Sequence, residues 1–97
     1  MSNPAKRAAV ENEGDFEDVC RICGYSDGGT FREDGWPVGT ICDCCGTQAG
    51  IGDTTLEQVR EIRAHWVKQG AQWWAPKHKP ENWDPDEQLS NLPLQWR

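Results

Sequence analysis

The chain has 97 residues, enough for one small domain, and only 36% of them are hydrophobic, which leaves little material for a large core. No apolar run approaches the eighteen or so residues that a membrane-spanning helix needs. Ten basic residues against sixteen acidic ones give a net charge of −6, a field that repels phosphate backbones and suits a basic protein partner.

Residues 1–18 read as an acidic tail. Lys6-Arg7 is followed by Glu11, Glu13, Asp15, Glu17 and Asp18, with Val10 and Phe16 the only sizeable apolar side chains after Met1. Such a composition buries too little surface to offset the entropy of ordering, so disorder is expected through about residue 14, with Phe16 where the ordered part begins.

Residues 19–53 carry the chemistry. Val19 leads, as a strand edge, into Cys20-Arg21-Ile22-Cys23-Gly24, and Thr40-Ile41 leads into Cys42-Asp43-Cys44-Cys45-Gly46. Each is a C-x-x-C-G turn, and eighteen residues separate Cys23 from Cys42. A two-residue gap lets both thiolates of a turn reach one ion, and the glycine after the second cysteine permits the positive φ that the turn demands. Four sulfurs from Cys20, Cys23, Cys42 and Cys45 close a tetrahedral shell around zinc, leaving no open position for a substrate and implying a structural role. A disulfide framework fits poorly: the five cysteines are odd in number and clustered locally, which points to a reducing, cytoplasmic setting. Cys44 reads as a spectator inside the second knuckle, with a reactive or metal-exchanging thiol as the sharper alternative. Between the knuckles, Ser26-Asp27-Gly28-Gly29, Gly35 and Pro37-Val38-Gly39 mark turns. The expected architecture is two hairpin-like arms pinched by the metal, with Tyr25, Phe31, Trp36 and Ile41 as the small core beside it. Residues 48–53 read as a flexible connector.

Residues 54–97 form the second half. Thr54 with Glu57, or Thr55 with Gln58, supplies a capping box, and Leu56, Val59, Ile62 and Trp66 recur on one helical face. With Gly70 at the C′ position, the helix is predicted over residues 55–69. Adjacent Trp73 and Trp74 cannot face the same way in an extended segment, so one packs near Trp66 and the other lies on the surface or against a partner. Asp84, Pro85 and Glu87 mark a short second helix that turns Leu89 and Leu92 inward. Four tryptophans within eighteen residues read first as core. As a binding surface they single out Trp73, Trp74 and Trp83, because tryptophan is enriched at interaction hot spots. His65 and His78 lie in no catalytic constellation, and no nucleophile triad, phosphate loop or H-E-x-x-H motif occurs, so a non-enzymatic protein is expected.

The run Ile41 to Gly46, the preceding Cys20 to Tyr25, the helix Leu56 to Gln69 and the closing Asn82-Trp83 resemble the cysteine-rich CPCC-type small bacterial proteins. That resemblance covers roughly residues 19–92. It implies a zinc ribbon followed by one helix, with an immunity or accessory role. Val19 to Tyr25, a tryptophan-bearing loop and Cys42 to Gly46 are also similar to rubredoxin, which implies iron on the same four sulfurs and one-electron transfer. The expected fold is thus a small α+β metal-bound domain: a zinc-ribbon or rubredoxin-like double knuckle, one amphipathic helix and a Trp-rich C-terminal segment packed on it. The expected function is a zinc-binding protein-interaction module, with an iron electron carrier as the alternative. A nucleic-acid-binding ribbon stands third, since it would need a local basic patch against an acidic whole.

Overall fold

The computed structural model describes residues 16–97; the disorder expected through residue 14 lies outside the described residues. The order of elements is β1 (Phe16–Glu17), β2 (Arg32–Glu33), β3 (Trp36–Pro37), α1 (Leu56–Lys68) and α2 (Pro85–Leu89), with single 3₁₀ turns at Pro76–His78 and Leu94–Trp96. The protein is a small α+β fold.

The three two-residue strands form one antiparallel sheet in the order β1-β2-β3. Glu17 pairs with Arg32, and Arg32 in turn pairs with Pro37. Asp34 and Gly35 connect β2 to β3 at φ 52° and 83°. Two successive left-handed residues are what a two-residue hairpin requires, and Asp-Gly is among the sequences that adopt them most readily. The strand edge expected at Val19 therefore falls earlier, at Phe16–Glu17, inside the stretch assigned to the tail. Residues 21–23 are instead consumed by the knuckle turn. Around the second knuckle the expected arm shrinks to a single bridge, Ile41 opposite Gln48.

Helix α1 starts on Thr55, whose hydroxyl accepts from the Gln58 backbone N–H while the Gln58 side chain accepts from the Thr55 N–H. Of the two capping boxes the sequence offers, the later one forms. The helix ends in a Schellman arrangement: Gly70 donates to the Val67 carbonyl, and Ala71 donates to the Trp66 carbonyl. Helix α2 begins as expected, with Asp84 accepting from the Asp86 N–H and Pro85 at the first helical position.

The core joins Ile22, Phe31, Ala49, Val59, Trp66 and Trp73 to the buried cysteines. Two expected core members are not in it: Trp36 is 76% exposed and Ile41 is 45% exposed. Trp36 sits on the outermost strand and shares the open face of the sheet with Phe16 and Glu33, whereas Arg32 occupies the covered face. Ile22, inside the first C-x-x-C, takes the central place and is fully buried. The connector at residues 48–53 is also tied down. The Asp53 carboxylate accepts from the Gly50 N–H at 2.8 Å and pairs with the Arg32 guanidinium at 2.8 Å, both side chains being buried. No helix of the described residues is long and apolar enough to cross a membrane.

Candidate metal centre

The two knuckles repeat one hydrogen-bond pattern. In the first, Cys20 N–H donates to the Tyr25 carbonyl and Gly24 N–H donates to the Cys20 carbonyl. In the second, Cys42 N–H donates to the Thr47 carbonyl and Gly46 N–H donates to the Cys42 carbonyl. Gly24 and Gly46 close these turns at φ 84° and 79°, the left-handed geometry that a side chain resists.

Facing each other, the knuckles bring the Sγ atoms of Cys20, Cys23, Cys42 and Cys45 within 4.8 Å of one another. Cys20 lies 3.6 Å from Cys45, and Cys23 lies 3.6 Å from Cys42. A disulfide needs about 2.05 Å, and all five cysteines are free. A tetrahedron with metal–sulfur bonds of about 2.3 Å has edges of about 3.8 Å, so these separations are the size of a tetrathiolate shell. The group of four can hold a metal ion.

Electrostatics separates Cys45 from Cys23 and Cys42. The Cys45 thiol is held far below its ordinary value by hydrogen bonds from Cys20, Cys23 and Cys42. The Cys23 thiol is pushed far up by contact with Cys20, Cys42, Cys44 and Cys45 and by burial, and the Cys42 thiol is pushed up chiefly by Cys20. One thiolate forms readily and its neighbours then resist, because like charges crowd into a buried volume. A divalent cation reverses that resistance and draws the protons off. Cys45 also lies 3.4 Å from the Thr47 hydroxyl, which can donate to it once it is a thiolate.

Cys44 is fully buried and lies outside the group of four. Its sulfur accepts a hydrogen bond from Gln88 Nε2 at 3.3 Å, and its thiol is held below the ordinary value by contact with Cys23, with Gln88 adding to the effect. Gln88 is the residue that sequence reasoning missed. Its Nε2 also donates to the Cys23 carbonyl at 3.1 Å, and its Oε1 accepts from the Trp83 indole at 2.8 Å. A polar residue just ahead of the expected inward Leu89 carried no signal of its own.

The second half of the chain satisfies the knuckle carbonyls. Arg63 of α1 donates to the carbonyls of Ile22 at 2.7 Å and Arg21 at 2.8 Å, and it also donates to the Trp96 carbonyl. At the second knuckle, Trp74 N–H donates to the Cys44 carbonyl and Ala75 N–H donates to the Asp43 carbonyl. His78 lies outside the group of four and places Nδ1 2.8 Å from the Asp43 carboxylate. The knuckle glycines are docking points as well. A Cβ on Gly24 would stand 2.3 Å from the Gln88 carbonyl oxygen, and one on Gly46 would stand 2.9 Å from the Trp74 ring.

The tryptophans divide. Trp73 is buried and stands edge-to-face with Trp83 at 5.4 Å and with Tyr25 at 5.3 Å. Its indole N–H has no hydrogen-bond partner among the described residues. Trp83 is part-buried and meets Trp66 at 6.3 Å. Trp74 is 65% exposed. Of the three tryptophans picked out as a binding surface, Trp73 therefore belongs to the core, Trp83 keeps part of its surface, and Trp74 stands open. Comparison with protein-family models, curated proteins and solved structures yields no match for this chain.

Proposed function

We propose that this chain is a non-catalytic metal-binding module of the bacterial cytoplasm, a zinc ribbon whose closed site builds a surface for another protein, as an immunity or accessory protein would. The observation that carries this reading is the four-sulfur group, with every sulfur within 4.8 Å of the others on two matching turns. Four thiolates fill the shell of a tetrahedral ion and leave no position for substrate, so the metal's contribution is to folding. Zinc is the preferred ion because a buried, fully thiolate shell suits it and asks for no redox partner. The CPCC-type and rubredoxin-like resemblances agree on the ligands and differ on the ion. Partner contact falls on the exposed Trp74 and on the free part of Trp83, and the net charge of −6 favours a basic partner over nucleic acid.

The test is elemental analysis with a visible spectrum on protein purified without added metal. One zinc per chain and no visible absorption are expected. One iron with thiolate charge-transfer colour would replace the structural ribbon with an electron carrier, and a folded protein with no metal would remove the reading altogether.

A further inference from the structure

Beside the first knuckle, where α2 docks, lies a groove of about 340 Å³. Tyr25 and Trp83 are its aromatic walls, while Asp84 and Glu87 from the start of α2 and Asn82 and Asn91 are among its polar lining. No lysine or arginine lines it. Asp27 stands just outside, its carboxylate 3.5 Å from the Tyr25 hydroxyl. The Trp83 ring already draws a cation: the chain's own Lys79 ammonium lies 5.5 Å from its centroid, at the edge of the neighbouring cavity.

From these observations we infer that the groove between Tyr25 and Trp83 receives a lysine or arginine side chain presented by a basic protein partner. The aliphatic stem packs on the aromatic walls, as long cationic side chains do, and the charged head meets Asp84 and Glu87. Charge complementarity selects this occupant: the walls carry only negative and neutral groups on a chain of net charge −6. The inference rests on the partner-binding half of the proposed function and is independent of which ion fills the thiolate site.

The experiment is a nitrogen-15 NMR titration of the full chain, as purified, with a short unstructured peptide bearing lysine and arginine. The same peptide with glutamate in their place is the control. The basic peptide is expected to shift the Trp83 indole and Tyr25 amide signals, and the acidic peptide is expected to leave them still. The Asp84→Asn, Glu87→Gln double variant should weaken binding about fivefold, since each exposed charge contributes modestly; asparagine preserves the helix cap. The Glu33→Gln, Asp34→Asn double variant removes the same charge on the distant hairpin and should bind as the parent does. Equal weakening in both variants would reduce the effect to bulk acidity and overturn the site. So would silence at Trp83, binding of the acidic peptide, or shifts that follow protein concentration and so place a second copy in the groove. Metal content of the same sample separates the two readings. A metal-loaded protein with a silent groove removes this inference alone, whereas a metal-free folded protein that binds the peptide removes only the metal reading.

Discussion

At the scale of single residues, two glycines do more than close turns. Gly24 has φ 84°, and the space where its Cβ would stand is occupied 2.3 Å away by the Gln88 carbonyl oxygen and 3.2 Å away by its carbon, both backbone atoms. Gly28 has a comparable φ of 90° with nothing within 4 Å. The pair separates two costs. Gly28→Ala is expected to destabilise by about 1–2 kcal/mol, the left-handed term alone. Gly24→Ala adds the displacement of α2, for a total of about 3–4 kcal/mol. Urea midpoints of the metal-loaded variants check the difference, and equal values would mean that α2 moves away freely. The thiols make the second prediction at this scale. Contact with the neighbouring cysteine sulfurs, together with burial, holds Cys23 and Cys42 protonated well above their ordinary range. Metal uptake at neutral pH must therefore release protons, and apparent affinity must rise with pH and fall as acid returns the protons. Calorimetric titration in buffers of different ionisation enthalpy counts the protons directly; a count of zero would contradict the protonated ground state.

At the scale of elements, α1 matters through one arginine. Its apolar stripe buries Val59 and Trp66, which its spacing in the sequence had indicated. Nothing in that spacing shows that Arg63 reaches across to the carbonyls of Arg21 and Ile22. Burial lowers the Arg63 guanidinium from its ordinary value, with Arg60 adding to the effect, but a group that starts so high stays charged. It therefore brings a fixed cation to the backbone of a turn whose sulfurs would become negative when a metal ion draws off their protons. Groups that orient metal ligands without touching the ion commonly contribute 10–100-fold in affinity. Arg63→Met, which keeps the length of the stem, is expected to lower metal affinity by about tenfold in competition with a chelator. Thr55→Ala at the helix cap should cost about 1 kcal/mol of stability and leave that affinity unchanged. Equal affinity loss in both would mean that Arg63 acts only through the helix.

At the scale of the whole molecule, the knuckles and the C-terminal half depend on each other. The first knuckle's carbonyls are satisfied by Arg63 and Gln88, and the second knuckle's by the backbone of Trp74 and Ala75. The sheet, with three strands of two residues each, can supply little independent stability. In small zinc domains, metal binding contributes on the order of 10–16 kcal/mol, more than a core of this size yields. Removing the metal with a chelator should therefore unfold both halves in one step. Far-ultraviolet circular dichroism, which reports α1, and the near-ultraviolet tryptophan signal should decay together. A helix that outlives the loss of metal would show that the second half folds alone.

Much of the site was legible in the sequence because its chemistry is local. A C-x-x-C-G turn is set by five adjacent residues, and two of them at ribbon spacing bring the same four sulfurs to one point. The starts of both helices were legible for the same reason, since a cap is written within one turn of chain. What the sequence left open depends on residues far apart along it. Gly35 marked a turn, but whether Trp36 would be covered depended on which face of the sheet the rest of the fold packs against. That Ile22 rather than Trp36 or Ile41 fills the core follows from α1 lying over the first knuckle. Gln88 acquires its role only when α2 docks on Gly24. The choice among Trp73, Trp74 and Trp83 was likewise decided by packing: three similar rings within eleven residues receive different degrees of burial because the second knuckle holds one side of the segment and the neighbouring rings hold the other. Local backbone geometry and ligand chemistry are short-range and can be read along the chain, whereas burial belongs to the assembled fold, where each side chain's share of the interior depends on every other's.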